Sequence, residues 1–346
     1  MDLMHYAEQM RYGELHVCYD EKTGLKAIVA LHNLKLGPAI GGCRCIEYPN
    51  SDDALRDVMR LARGMTYKAA ISKLPHGGGK SVIMRPPRLP HGSPERRALF
   101  EAFGEFVNSL GGRYLPAEDS GTTIEDMNVM RTRTDYCLGS EAGSGDPSPF
   151  TAYGVRRGIE AAVKFRYGRD SLEGLHVAIQ GLGHVGYYLA KELHALGARL
   201  TVTDVRAESV ARAVEEFGAR SVSVDAIYEV DADIFAPCAL GAVLNDQTIP
   251  WLKVDIVAGA ANNQLAEDHH GQALLERNIL YAPDYAINAG GLINVASEAE
   301  GYDAQKSRDK TTEIYQTMMS IFERSAGERL PTNVVADRIV EEIIYA

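Results

Sequence analysis

An α/β fold in two domains is what this sequence predicts, and three observations carry the prediction. The chain has 346 residues, long for one hydrophobic core and comfortable for two. In its second half an apolar run, a glycine-rich turn, a helical pattern and a further apolar run follow one another directly, the order of a βαβ unit. Between the halves, residues 139–149 (GSEAGSGDPSP) are rich in Gly, Ser and Pro without periodicity, and so mark a boundary.

The elements follow from local patterns. Residues 26–36 (KAIVALHNLKL) read as a strand that ends at Gly37-Pro38, with Gly41-Gly42 shortly after. Ser51-Asp52-Asp53 opens a helix carrying Leu55, Val58, Met59 and Ala62 on one face, and Gly64 is expected to stop it. Ser93-Pro94-Glu95 opens another, with a Ser cap and Pro in the first turn. Its stripe is Leu99, Phe103, Phe106, Val107 and Leu110, and Gly111-Gly112 end it. Beyond the boundary come a helix over about 151–165, a strand over 175–180 and a helix with Tyr188, Leu189 and Leu193 that runs to Gly197. A strand over 198–204 (ARLTVTD) completes the unit.

Composition narrows the function. An apolar share of 45% and a charged share of 24% are ordinary for a globular protein. A formal charge of −11 argues against nucleic acid and anionic membranes as partners, since both call for basic patches. No apolar run approaches the ~20 residues of a membrane span, and the start lacks a signal-peptide pattern, so a cytoplasmic protein is expected. The five cysteines are dispersed and offer no four-ligand zinc set. Asp268-His269-His270 has no second ligand set at helical spacing and reads as a solvated loop or helix start, so no metal site is expected.

Two motifs carry chemistry. Lys68 and Lys80 lie twelve residues apart, each in unusual company: 64–68 (GMTYK) and 77–80 (GGGK). Gly79-Lys80-Ser81 matches the end of a phosphate-binding P-loop, but that pattern requires glycine where this chain has Leu74, so the P-loop reading fails. In the second half, Gly181-Leu182-Gly183-His184-Val185-Gly186 follows a strand and opens a helix, and Asp204 lies 18 residues past Gly186. That context makes the glycines a Rossmann dinucleotide-binding turn, with the pyrophosphate on backbone amides at the helix N-terminus. Asp204 favours NAD. It can accept from a ribose 2′-hydroxyl, whereas a 2′-phosphate ~4 Å away would cost on the order of 4 kcal/mol at an effective dielectric near 20. Arg206 would soften that repulsion.

With the lysine pair upstream of such a turn, the chain resembles the glutamate/leucine/phenylalanine/valine family of amino-acid dehydrogenases, and the leucine members most. The matching segments are 25–28, 37–42 (GPAIGG), 63–68 (RGMTYK), 77–80, 117–123 (AEDSGTT), 147–154, 233–241 (DIFAPCALG) and 281–295 (YAPDYAINAGGLINV). The resemblance implies reversible oxidative deamination of an L-amino acid by NAD and water to a 2-oxo acid, ammonia and NADH. It implies Lys68 on the substrate α-carboxylate, Lys80 as the catalytic lysine acting in a partly neutral form, and Asp119 as proton shuttle. Burial and a neighbouring cation lower a lysine pKa, and Lys68 is the cation expected for Lys80. Backbone at Gly41 and Gly42 is expected against the substrate, Thr151 and Ala239 against the cofactor, and Asn262 near both.

The same resemblance bears on substrate and assembly. Glutamate members carry a lysine just before the Gly-Gly pair, for the distal carboxylate; here that position is Ile40, which disfavours glutamate. Ala117, Leu292 and Val295 match other pocket positions and are apolar. A branched-chain substrate is therefore expected, with an aromatic amino acid as the alternative. A non-catalytic NAD sensor and a hydroxy-acid dehydrogenase are remoter rivals. The implied architecture puts residues 1–135, with 326–346, in a substrate-binding and oligomerisation domain. Residues 136–325 form the NAD domain, across a cleft whose closure aligns the reactants. A homo-oligomer, dimer or octamer, is expected.

Overall fold

The structure is a computed structural model that describes residues 2–139 and 143–346. The chain divides into two compact units. The boundary expected over 139–149 includes residues 140–142, which lie outside the described residues.

The first unit comprises Met1–Gly145, Val295–Ala304 and Glu342–Ala346. Its sheet contains β1 (Glu14–Asp20), β2 (Leu25–Asn33), β3 (Ala39–Ile46), β4 (Gly77–Met84) and β5 (Tyr114–Glu118), in the order β1-β2-β4-β3-β5. β1, β2 and β4 pair antiparallel, while β4, β3 and β5 pair parallel. Helices α1 (Leu3–Gln9), α2 (Ser51–Ile71), α3 (Pro94–Ser109) and α4 (Ile124–Arg131) complete it. β2 is apolar almost throughout because both of its faces are covered. Leu25, Ala27, Val29 and Leu31 pack with Leu99, Phe100, Phe103 and Val107 of α3. The alternate residues Ile28 and Ala30 pack with Ala54, Val58, Met59 and Ala62 of α2.

One helix end differs from expectation. α2 does not stop at Gly64 but runs to Ile71, so the RGMTYK segment is helical and Lys68 sits in its last turn. A single glycine costs a helix about 1 kcal/mol relative to alanine. The turns beyond it bury Thr66, Tyr67, Ala69, Ala70 and Ile71, and that burial outweighs the cost. Those turns meet β4 at Gly78, the middle of the triple glycine, which is strand rather than loop. A Cβ on Gly78 would stand 2.0 Å from the Thr66 backbone nitrogen, so only glycine lets α2 lie this close to β4.

The second unit comprises Asp146–Asn294 and Gln305–Glu341. Its strands are β6 (His176–Gln180), β7 (Arg199–Thr203), β8 (Arg220–Ser221), β9 (Ile234–Pro237), β10 (Ile256–Val257) and β11 (Leu280–Tyr281). They form a sheet in the order β11-β10-β9-β6-β7-β8, every neighbouring pair parallel. α5 (Ser148–Tyr167) precedes the sheet and ends at Gly168 in the left-handed conformation. α6 (His184–Ala195) follows β6, α7 (Ala207–Phe217) follows β7, and α8 (His270–Glu276) precedes β11. Strand order reverses between β6 and β9, and the carboxyl ends of those two strands therefore define the crevice where such sheets bind ligands.

Residues 326–341 belong to this second unit, where the sequence had placed them with the first. Helix Thr332–Tyr345 is tied down there: Thr332 Oγ1 donates to the Tyr281 carbonyl (2.7 Å), and Tyr285 Oη donates to Asp337 Oδ1 (2.8 Å). Among the described residues no helix is long and apolar enough to cross a membrane.

Two glycines of the first unit have opposite roles, which a stability measurement separates. Gly78→Ala is expected to lose about 1–3 kcal/mol or more from overpacking. Gly64→Ala, whose new Cβ meets nothing within 4 Å, is expected to gain ~0.5–1 kcal/mol. Urea midpoints that move the same way in both variants would contradict this packing account.

Candidate active site

In the first unit the parallel strands bring three charged side chains to one place. Lys80 is buried on β4, on the strand face it shares with Gly78 and Val82, which lies against α2. Its Nζ donates to Asp119 Oδ1 at 2.9 Å. Asp119 follows directly on β5 and starts a tight turn: its N–H donates to Thr122 Oγ1 (2.9 Å), and Gly121 adopts φ +79° with a hypothetical Cβ 1.9 Å from the Cys45 carbonyl. Thr123 then caps α4 in a reciprocal box with Asp126, whose carboxylate accepts two hydrogen bonds from the buried Arg96. The turn that aims Asp119 is thus fixed on both sides.

A third charge completes the arrangement. Arg44 Nε on β3 donates to Asp119 Oδ2 at 2.9 Å. Its Nη1 donates to Asp57 Oδ2 of α2 (2.8 Å), which also accepts from Tyr48 Oη (2.7 Å). Burial pushes the Asp119 carboxyl up, but the Lys80 and Arg44 cations pull harder and hold it below the ordinary aspartate value. Arg44 is thus a second cation on Asp119, one the sequence reading had not singled out.

Glycine makes the approach possible. A Cβ on Gly42 would fall 2.6 Å from Asp119 Cβ and 2.9 Å from Lys80 Nζ, and one on Gly41 would fall 1.8 Å from the Gly79 carbonyl oxygen. A side chain at either position would clash with the chain's own charged pair or backbone. Tyr114, buried in β5, donates its hydroxyl among the Gly41 carbonyl (2.9 Å), the Gly42 carbonyl (3.2 Å) and Ser81 Oγ (3.0 Å), locking β5 to β3 and β4. Ala117 is half-buried and pairs with Gly42. Ile40 has no exposed surface.

In the second unit the glycine turn has the three-part geometry its sequence foretells. Gly181 has φ +97°, and a Cβ there would meet the Ala239 nitrogen at 2.8 Å, so the turns after β6 and β9 touch. Gly183 faces open space at the start of α6, and the backbone N–H groups of such a helix end favour an anion. Gly186 packs on the Gly181 carbonyl, 2.1 Å from its hypothetical Cβ. His184 and Val185 form the first turn of α6. Asp204 follows β7: its Oδ2 accepts from Leu182 N–H (2.6 Å) and its Oδ1 from Arg206 N–H (2.8 Å). Burial raises its pKa, yet those hydrogen bonds leave it below the ordinary value, a carboxylate at neutral pH. The unit fits a dinucleotide on these observations.

The whole chain bears comparison with known proteins. Residues 10–136 match the model of the Glu/Leu/Phe/Val dehydrogenase dimerisation domain, and 142–207 with 200–332 match that of Glutamate/Leucine/Phenylalanine/Valine dehydrogenase. Leucine dehydrogenase of Geobacillus stearothermophilus is 51% identical, over 99% of this chain and 94% of that one. The chain belongs to the glutamate/leucine/phenylalanine/valine dehydrogenase family. The crystal structure of L-tryptophan dehydrogenase from Nostoc punctiforme is 42% identical with a TM-score of 0.89, covering 99% of this chain and 98% of that one. Hetero-hexameric glutamate dehydrogenase from Thermus thermophilus shares the fold at 20% identity, with a TM-score of 0.74 over 98% and 94% of the two chains.

The remaining family positions lie as follows. Thr151 Oγ1, in the first turns of α5, donates to the Pro147 carbonyl (3.1 Å). Asn262 is exposed and accepts at Oδ1 from buried Asn288 Nδ2 (2.8 Å). Leu292 and Val295 stand three residues apart on helix Gly290–Ala296, both half-buried, beside the buried Ile293 and Ala296. Sequence reading missed Arg44, Asp57 and Tyr48. A signal was present: Arg44 is a lone charge between two cysteines in an apolar strand, and such a residue needs a buried partner.

Two variants test this geometry. Gly42→Ala, which wedges a methyl between Lys80 and Asp119, is expected to lower kcat on the order of 10²-fold with cofactor affinity unchanged. Arg44→Gln removes one of the two cations that depress Asp119, so the acid limb of the kcat–pH profile is expected to move to higher pH. An unmoved limb would separate Arg44 from the titration of Asp119.

Proposed function

We propose that this chain catalyses the reversible, NAD-dependent oxidative deamination of L-leucine and other branched-chain L-amino acids. The observation that carries the reading is the Lys80–Asp119 ion pair at Gly42, in a chain whose similarity to leucine dehydrogenase runs almost end to end. Leucine, NAD and water give 4-methyl-2-oxopentanoate, ammonium, NADH and a proton.

Each residue has a task in that reaction. Lys68, in the last turn of α2, pairs with the substrate α-carboxylate. Asp119 takes a proton from the substrate ammonium. NAD, when bound, supplies the acceptor for the hydride that leaves the substrate Cα. With a proton withdrawn from the Lys80–Asp119 pair, Lys80 accepts one from the water that adds to Cα. Asp119 returns the proton it took to the amino nitrogen, and the 2.9 Å hydrogen bond passes the Lys80 proton to the emptied carboxylate. Lys80 takes the hydroxyl proton as the C–N bond breaks, leaving Asp119 to protonate the departing ammonia. Arg44 steadies Asp119 through both transfers.

NAD is preferred to NADP because Asp204 offers an acceptor to the ribose 2′-hydroxyl and a like charge to a 2′-phosphate. Gly181, Gly183 and Gly186 shape the turn, and Ala239, Thr151 and Asn262 contact the cofactor. The apolar side chains of Ala117, Leu292 and Val295 fit an aliphatic substrate and leave the distal carboxylate of glutamate without a partner. Aromatic amino acids are the second reading, favoured by the likeness to tryptophan dehydrogenase. We place the chain in the cytoplasm as a homo-oligomer. Edge strand β1 exposes Val17 and Tyr19, and the matched first domain is described as a dimerisation domain.

NADH oxidation with ammonium and a panel of 2-oxo acids tests the reading. The expected order is 4-methyl-2-oxopentanoate and 3-methyl-2-oxobutanoate ahead of phenylpyruvate and indolepyruvate, with 2-oxoglutarate inert. A preference for the aromatic acids keeps the mechanism and changes the substrate. Reduction without ammonium would overturn the reaction class. Lys80→Ala is expected to lower turnover by 10²–10⁴-fold or more with NADH binding intact, and full activity in that variant would remove Lys80 from the mechanism.

A further inference from the structure

The His269-His270 pair, which in sequence lacks further ligands, acquires one through the fold. The segment after β9 and the segment before α8 run side by side. Leu244 bridges Leu265 in parallel, Leu244 N–H donates to the Gln264 carbonyl (2.9 Å), and Ala266 N–H donates to the Leu244 carbonyl (2.9 Å). That ladder carries Asp246 to the histidines, while the adjacent Asp268 is not part of the cluster. Asp246 is itself set in a turn in which Asn245 Oδ1 accepts from the N–H groups of Gln247 (3.0 Å) and Thr248 (3.1 Å).

We infer that Asp246, His269 and His270 form a binding site for one divalent first-row transition-metal ion of the zinc, nickel or cobalt class. Potential ligand atoms of all three lie within 4.8 Å of one another. His270 Nε2 stands 3.3 Å from Asp246 Oδ1, and His269 Nε2 stands 3.9 Å from it. Tetrahedral zinc with bonds of ~2.0–2.2 Å holds its ligand atoms roughly 3.3–3.6 Å apart, so the first distance fits and the second is about 0.3 Å longer. His270 is buried at the start of α8, as the helix-start reading has it, and His269 is exposed.

The Nδ1 atom of His270 distinguishes this cluster from a chance surface pair. It lies 2.9 Å from the Glu267 N–H and 3.1 Å from the Glu267 carbonyl. Without an ion, Nδ1 accepts from that N–H and Nε2–H donates to Asp246. With an ion, Nδ1–H donates to the carbonyl and frees the Nε2 lone pair, the orientation that ligating histidines use. Two imidazoles and one carboxylate suit these metals better than magnesium or calcium, and water fills the fourth position. The ion would clamp the turn around Asp246 to the start of α8.

The test uses the full chain, freed of metal by chelation and titrated with Zn²⁺ by calorimetry, alongside His269→Ala and Asp246→Asn, both of which alter exposed side chains. One ion per chain is expected in the wild type, with affinity lower by about tenfold or more in each variant. Zn²⁺ is expected to raise Tm in the wild type and not in the variants, and Co²⁺ to give the visible bands of a four-coordinate site. Turnover of the metal-free variants is expected to match that of the metal-free wild type. Absence of stoichiometric binding would overturn the inference. Binding of equal strength in the wild type and both variants would overturn it too, since the ion would then sit on other histidines.

Discussion

The carboxylate of Asp119, held between Lys80 and Arg44, is the interaction on which the first unit is organised. Three charges withdrawn from water would each cost several kcal/mol if unpaired, so the strands that carry them must meet with little freedom. β3 supplies Arg44 and Gly42, β4 supplies Lys80, and β5 delivers Asp119 into a turn locked by Gly121 and the α4 cap. α2 contributes Asp57 to the back of Arg44, and the turn before its last presses Thr66 onto Gly78. The same helix end carries Lys68. Packing of α2 on glycine therefore sets the place of Lys68, and the ion pair sets the place of Lys80.

The second unit meets a different constraint with the same residue type. A nucleotide phosphate must come within hydrogen-bond distance of backbone N–H groups, which any side chain at Gly183 would obstruct. Gly181 and Gly186 serve the protein's own contacts: one makes room for Ala239 and the other packs α6 onto its own turn. Asp204 then closes the loop by accepting from Leu182, so the group expected to read the ribose also braces the phosphate turn.

The two units also differ in how their charges are screened. Lys80 and Asp119 interact at low exposure, where removal of a partner leaves a costly orphan. Asp204 keeps hydrogen bonds to backbone donors as well as to the exposed Arg206, so its ionised state does not rest on one side chain.

Much of this was legible in the sequence because it depends on local rules. The strand–glycine–helix order around Gly181, the acid closing β7 and the Ser93 cap are consequences of short-range sterics and of periodicity. The lysines and Asp119 were legible as types in an ordered set of motifs. Tertiary structure alone decided the rest. Whether Gly64 stops a helix depends on what lies beneath the next two turns, and that surface is β4. Arg44 has no meaning as a site residue until β3 and β5 lie in parallel register and bring Asp119 to it. Asp246 reaches His270 only because two segments after different strands share a backbone ladder. That Ile40 has no exposed surface is likewise a tertiary fact, because the alternation of a strand fixes its faces but not what covers them. Local sequence sets the conformation of each segment; which distant charge it meets is fixed by the closing of the sheet.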